Sequence, residues 1–156
     1  MSKRTTNAAK IALLGHVSLF ADCTKKELAE IASLSMECDA VAGQVLAEEG
    51  QVGGEFFIIV DGRATATRSG VVLAELAPTN FFGELALLDG GPRTATVVAD
   101  TDLHLLVLSR GEFKQLCRSY PTVSYRMLAG LGARLRTADQ MIDDANRPEA
   151  ARHITV

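Results

Sequence analysis

The spacing of apolar residues changes twice along the chain. Leu28, Ile31, Ala32 and Ser35 fall at helical intervals behind Thr24-Lys25-Lys26-Glu27. In that pattern a Thr hydroxyl accepts from a backbone N–H while the Glu reaches back. The spacing predicts a helix over 24–35, preceded by an apolar N-terminal helix. From Met36 the apolar runs shorten and are cut by Gly, Asp and Ser: AVAGQVLAEEGQ, then GGEFFIIVDGRATATRSGVVLAEL, then TATVVAD and LHLLVL. Asp61-Gly62, between FFIIV and RATAT, predicts a two-residue hairpin, because both central positions favour positive φ. Ser69-Gly70 predicts a second turn. About six to eight short strands so closely spaced imply a small antiparallel barrel or jelly roll.

The helical period then returns. Ser109-Arg110-Gly111-Glu112 repeats the capping pattern ahead of Phe113, Leu116 and Cys117. Pro121 suits the first turn of a further helix, expected to run to about Asp144. Along it Leu128, Leu131, Leu135, Ala138 and Ile142 step by three and four, the spacing of a narrow apolar seam. Three readings fit that seam: packing on the chain's own barrel, a dimer helix, or a lid over a pocket. The expected fold class is α+β, mainly β: an antiparallel barrel or jelly roll flanked by helices. The expected layout is one domain over 1–156. It comprises a helical bundle at 8–35, the barrel at 36–108, C-terminal helices at 109–145 and a frayed tail at 146–156.

Charge and composition narrow the partners. A net charge of −3 gives no basic footprint for nucleic acid or an anionic membrane. Tryptophan is absent, which removes the best base-stacking side chain. No room remains after the barrel for a helix-turn-helix domain. Lys3, Arg4 and Lys10 before an apolar patch give the start a faint likeness to a signal peptide. Gly15, His16 and Ser18 break that patch, so an N-terminal helix of a soluble protein is expected instead. No apolar run approaches the ~18–20 residues of a membrane helix. Cys23, Cys38 and Cys117 are few, odd in number and scattered, which fits thiols in a reducing cytoplasm. His16, His104 and His153 form no HxH pair, so neither a cupin-like metal barrel nor a metal-dependent phosphodiesterase is favoured, and no metal is expected.

The candidate chemistry lies in residues 81–98, FFGELALLDGGPRTATVV. Phe81 and Phe82 anchor a strand end. Gly83 lets the backbone approach a ligand. ELALL favours one helical turn, whose leading N–H groups favour an anion. Arg93, beyond Gly90-Gly91-Pro92, offers a fork for phosphate oxygens. Glu84 repels phosphate but accepts from hydroxyls. The pieces sum to a site for a sugar phosphate or nucleotide, with an apolar barrel for a flat base. The competing reading is a Glu84–Arg93 ion pair that merely closes the loop.

FFGELALLDGGPRTATV resembles the phosphate-binding cassette of cyclic nucleotide-binding domains, found in kinase regulatory subunits, gated channels and catabolite-activator-type regulators. The likeness runs from VSLF through LSRGEFKQL to the long C-terminal helix. It implies that Glu84 accepts from the ribose 2′-hydroxyl beside the Gly83 N–H, and that Arg93 pairs with the cyclic phosphate. The Leu85 and Ala86 N–H groups and the Thr94 N–H and hydroxyl would complete the anion pocket. Leu131 or Leu135 would cover the base. Pro78-Thr79-Asn80 stands where the family often has Pro-Gly-Asp, a change in a turn. Thr94 is compatible with cGMP and does not exclude cAMP.

The resemblance implies a stand-alone, non-enzymatic cytoplasmic sensor of cAMP. It would signal through a homodimer formed by the C-terminal helix or through an effector protein, with no nucleic acid and no membrane partner. The alternatives are a cGMP-selective binder and an interaction module without ligand.

Overall fold

A computed structural model describes residues 4–146. The chain begins with α1 (Asn7–Gly15), capped by the Thr6 hydroxyl, which accepts from Ala9 N at 3.1 Å. A 3₁₀ turn (Ser18–Phe20) and α2 (Lys25–Leu34) follow. Thr24 caps α2 as its sequence predicts, accepting from Glu27 N at 3.2 Å. The Glu27 carboxylate lies near the Cys23 thiol, and its Oε2 has no hydrogen-bond partner.

Eight strands come next: β1 (Met36–Ala40), β2 (Val45–Ala47), β3 (Glu55–Asp61), β4 (Ala64–Arg68), β5 (Val71–Leu76), β6 (Phe81–Phe82), β7 (Thr96–Ala99) and β8 (Leu103–Ser109). A short helix, α3 (Glu84–Asp89), interrupts them between β6 and β7. Two helices close the described chain: α4 (Arg110–Ser119), which Ser109 caps, and α5 (Pro121–Asn146). The frayed tail expected over 146–156 lies, except for Asn146, outside the described residues.

The strands form two antiparallel four-stranded sheets, in the orders β1-β8-β3-β6 and β2-β7-β4-β5. This is the double-sheet arrangement of a jelly roll and not a closed barrel. The jelly roll is central, while the 26 residues of α5 help give helix the larger share of the described chain.

The β3–β8 sheet is buried on both faces. Phe56, Ile58, Leu106 and Leu108 join the helices in one core, with Leu14, Phe20, Ile31, Phe113 and Leu116. Their neighbours Phe57, Ile59, Leu103 and Leu105 face the other sheet in a second core, with Ala64, Val97 and Ala99. Alternation with period two assigns each residue to its side. It also explains why FFIIV reads as an unbroken apolar run.

The Asp61-Gly62 turn differs from its expectation. It does not close a hairpin, because β3 and β4 belong to different sheets. Only Gly62 takes positive φ (96°), and a Cβ there would meet the Asp102 carbonyl oxygen. Arg63 O accepts from Asp100 N at 2.9 Å. The turn therefore carries the chain between sheets, against the β7–β8 connection that makes the same crossing. Ser69-Gly70 is the true hairpin turn. Both residues have positive φ (51° and 78°), and β4 pairs with β5.

The seam on α5 also departs from the first of its readings. Val123 and Met127 are the buried residues of this helix. Leu128, Leu135 and Ile142 are 68%, 66% and 58% exposed, so the seam does not pack on the jelly roll. Of the seam residues Leu131 is half-buried and turns toward the body beside Met127, while Leu128, Leu135, Ala138 and Ile142 are exposed.

Candidate functional site: a charged pocket between the sheets

Arg93 is placed by backbone pairing. Its N–H donates to Gln51 O and its carbonyl accepts from Gly50 N, each at 2.8 Å, while Pro92 bridges to Val52. The side chain then runs inward and is only 6% exposed. Its Nη2 donates to Glu55 O at 2.8 Å and lies 3.4 Å from Glu55 Oε2; Nη1 donates to Gly83 O at 3.4 Å. The guanidinium carbon stands 6.0 Å from the centroid of the Phe57 ring.

Two glycines make the space. A Cβ on Gly53 would strike the Arg93 guanidinium. One on Gly83, whose φ is 97°, would stand 2.6 Å from both Arg93 Nη1 and Glu55 O. Burial pulls the Arg93 guanidinium below its usual value, while Glu55 and then Glu84 act in the opposite direction. A cation held at such a cost, with part of its fork satisfied only by carbonyls, is suited to an arriving anion.

Glu84 opens α3 and is buried. Its carboxylate does not pair with Arg93. It pairs with Arg134 of α5, while Arg93 pairs with Glu55. The loop-closing Glu84–Arg93 bridge weighed from sequence is therefore not formed. Each residue has another partner, and in each pair one member is more than half exposed: Arg134 at 56% and Glu55 at 54%.

Around these groups lies a cavity of about 390 Å³, within the range of ~300–1,000 Å³ usual for small-molecule sites. Its room comes from small side chains, Ala47, Ala66, Ala74 and Ala95, on the β2-β7-β4-β5 side. Phe82, stacked on Phe57 at 4.8 Å between centroids, lines its floor. Gly83, Glu84, Leu85, Arg93 and Thr94 all line it, and Ala86 lies in the first turn of α3. Leu131 lines an adjoining cleft of about 200 Å³ with Phe81, Glu84 and Met127. Leu135 lines neither space and is exposed.

Sequence reading missed Arg134, Glu55 and Arg68, all of which reach the site. Arg134 was findable: it stands seven residues after the buried Met127, two helical turns along the same face. Glu55 and Arg68 carry no local motif; pairing of strands distant in sequence brings them in.

His104 lies elsewhere, in a polar cluster on β1 and β8. His104 Nδ1 is 2.6 Å from Asp39 Oδ1, its Nε2 is 3.1 Å from Thr5 Oγ1, and Glu37 accepts from Thr5 N at 2.8 Å. These bonds strap the N-terminal segment across β1 and β8. Among the described residues no three His, Cys, Asp or Glu side chains gather as metal ligands. No described helix is long and apolar enough to cross a membrane.

A jelly roll whose inner pocket presents one buried guanidinium and one buried carboxylate defines a small-molecule-binding module with an anion end. The chain belongs to the cyclic nucleotide-binding domain family: residues 38–120 match the family model. It is 41% identical over 113 residues to a cyclic nucleotide-gated potassium channel of Rhizobium etli, covering 72% of this chain and 31% of that protein. It is 33% identical over 117 residues to the cyclic AMP receptor protein of Thermus thermophilus, covering 72% and 54%. The crystal structure of the Thermus thermophilus catabolite activator protein superposes with a TM-score of 0.77 at 32% identity, over 81% of this chain and 62% of that one. The chain thus spans only part of each of these proteins.

Proposed function

We propose that the pocket between the sheets binds a 3′,5′-cyclic purine nucleotide, with cAMP as its ligand, and that the domain is a sensor without catalytic activity. The observation that carries this reading is the buried Arg93 fork, aimed into a cavity whose other polar wall is the buried Glu84. Arg93 takes the cyclic phosphate through paired, charge-assisted bonds. The Leu85 and Ala86 N–H groups and the Thr94 N–H and hydroxyl supply the remaining donors. Glu84 accepts from the ribose 2′-hydroxyl beside the Gly83 N–H. The purine lies toward the small residues of the second sheet, with Leu131 as its cover.

Arg134 couples this pocket to α5. A hydroxyl that bonds Glu84 must share or displace the guanidinium already paired there. Binding therefore favours one position of α5 over another, by no more than the ligand's differential affinity for the two. The exposed Leu128, Leu135 and Ile142 supply the face that a second copy of the chain, or an effector protein, would read. The cytoplasm is the compartment this reading implies.

Titration calorimetry with cAMP, cGMP and 2′-deoxy-cAMP tests it. The expected order is cAMP tightest and the deoxy analogue much weaker, because the hydroxyl bond to the buried Glu84 is not formed. Tighter binding of cGMP would reassign the purine to the one the Thr94 hydroxyl admits. The absence of heat with either nucleotide would overturn the proposal in favour of a ligand-free interaction module.

A further inference from the structure

Three guanidinium groups line the pocket: Arg68, Arg93 and Arg134. Two of them have carboxylate partners, Glu55 for Arg93 and Glu84 for Arg134. Arg68 has none among the described residues. Its Nε donates to the Thr94 carbonyl at 2.8 Å, which orients the group and leaves its terminal amino groups to solvent and to the cavity. Thr94 directly follows Arg93, so this bond fixes Arg68 beside the anion end. Counted by direct pairing, three guanidinium groups meet two carboxylates and leave one positive charge, equal and opposite to that of a cyclic phosphodiester; the neighbouring Glu49 carboxylate is engaged by Ser69 N at 3.0 Å.

We propose that Arg68 is a further ligand-recognition residue, supplying the positive charge that the two internal ion pairs leave unspent and directing it at the ligand's phosphate. This rests on the reading of the pocket as a cyclic nucleotide site. Arg93 is the buried anchor; Arg68 is the exposed charge at the mouth, which attracts the anion and keeps it. Because Arg68 is exposed, its effect is screened by salt. Because it addresses the phosphate, its effect is the same for adenine and guanine nucleotides.

The test measures Kd for cAMP and cGMP at ~20 mM and ~300 mM salt in the wild-type protein and in Arg68→Ala, Arg68→Lys and Arg93→Ala variants. Arg68→Ala is expected to weaken both nucleotides about fivefold at low salt, the effect of one solvated charge pair a few ångströms apart. The gap should shrink at high salt, and Arg68→Lys should restore most of the affinity. Three results would overturn the assignment: unchanged affinity at both salts; a salt-independent loss that lysine does not rescue, which marks a purely structural clamp on Thr94; or a loss confined to one purine. Binding that depends on Arg93 but not on Arg68 removes this inference alone. A wild-type protein that binds neither nucleotide removes the reading beneath it as well.

Discussion

Replacing Arg93 with alanine separates a ligand site from a structural ion pair. In the ligand-free protein the substitution removes a cation that burial disfavours, together with its bonds to Glu55 O and Gly83 O. The carboxylate left behind, Glu55, is 54% exposed and remains hydrated, so the severe cost of an orphaned buried charge does not arise. Loss of the well-formed bond to Glu55 O leaves a net destabilisation of about 1 kcal/mol. The bound state loses more. Two charge-assisted bonds to phosphate contribute roughly 1.5–3 kcal/mol each, so affinity should fall about a hundredfold to ten-thousandfold.

Thermal melts with and without cAMP read both quantities. Wild-type protein at a hundredfold excess of ligand over Kd gains roughly 2.7 kcal/mol, a rise of roughly 5–10 °C for a chain of this size. The variant should melt a few degrees lower than wild type without ligand and show no rise at the same nucleotide concentration. A variant that collapses without ligand, from a wild type whose melt nucleotide does not move, would refute the reasoning and mark Arg93 as structural.

Other substitutions bear on separate parts of the argument. Gly83→Ala, at φ 97° and against both Arg93 and Glu55, should cost about 1–2 kcal/mol of stability and weaken cAMP more than tenfold in calorimetry. Gly62→Ala, equally strained but at the crossing between sheets, should lower the melting temperature comparably and leave Kd unchanged. Arg134→Ala should speed amide exchange in α5 beyond Met127 in ligand-free protein while β3 and β8 stay protected; unchanged exchange would mean that the Glu84 pair does not hold the helix. Thiol labelling at pH 8 should modify the exposed Cys38 first. Burial, aided by Glu27, pushes the Cys23 thiol up to about 11 and leaves it mostly protonated.

Local signals in the sequence were sound where the chain decides locally. The helix caps at Thr24 and Ser109, the Ser69-Gly70 turn and the α3 turn after Gly83 all form where their residues place them. Asp61-Gly62 misled because a turn dipeptide reports backbone bending and not which strand is the partner. Pairing is settled by the two faces of β3, each claimed by a different core. Pro78-Thr79-Asn80 shows a subtler limit. Thr79 takes φ 77° at the place where the family often carries glycine, held by its N–H to Ile59 O at 2.9 Å and by the Asn80 side chain on Ala77 N. Positive φ at a β-branched residue is strained, so Thr79→Gly should stabilise the protein by about 0.5–1 kcal/mol in denaturant titration without altering affinity. Among the site residues, Glu84 and Arg93 were legible because one short segment carries both. Arg134, Glu55 and Arg68 were not, since their approach depends on how α5 and the distant strands dock.

The double burial of β3 constrains how this chain can vary. Phe56 and Ile58 support the helices; Phe57 and Ile59, one step away, face the jelly-roll interior. A single residue inserted or deleted within β3 would exchange the two sets, sending the helix-facing side chains into the jelly-roll interior and the interior ones under the helices. Point changes there can be absorbed one face at a time, but changes of length cannot. Variation in length belongs instead to the turns, such as Ser69-Gly70, which lie on neither face.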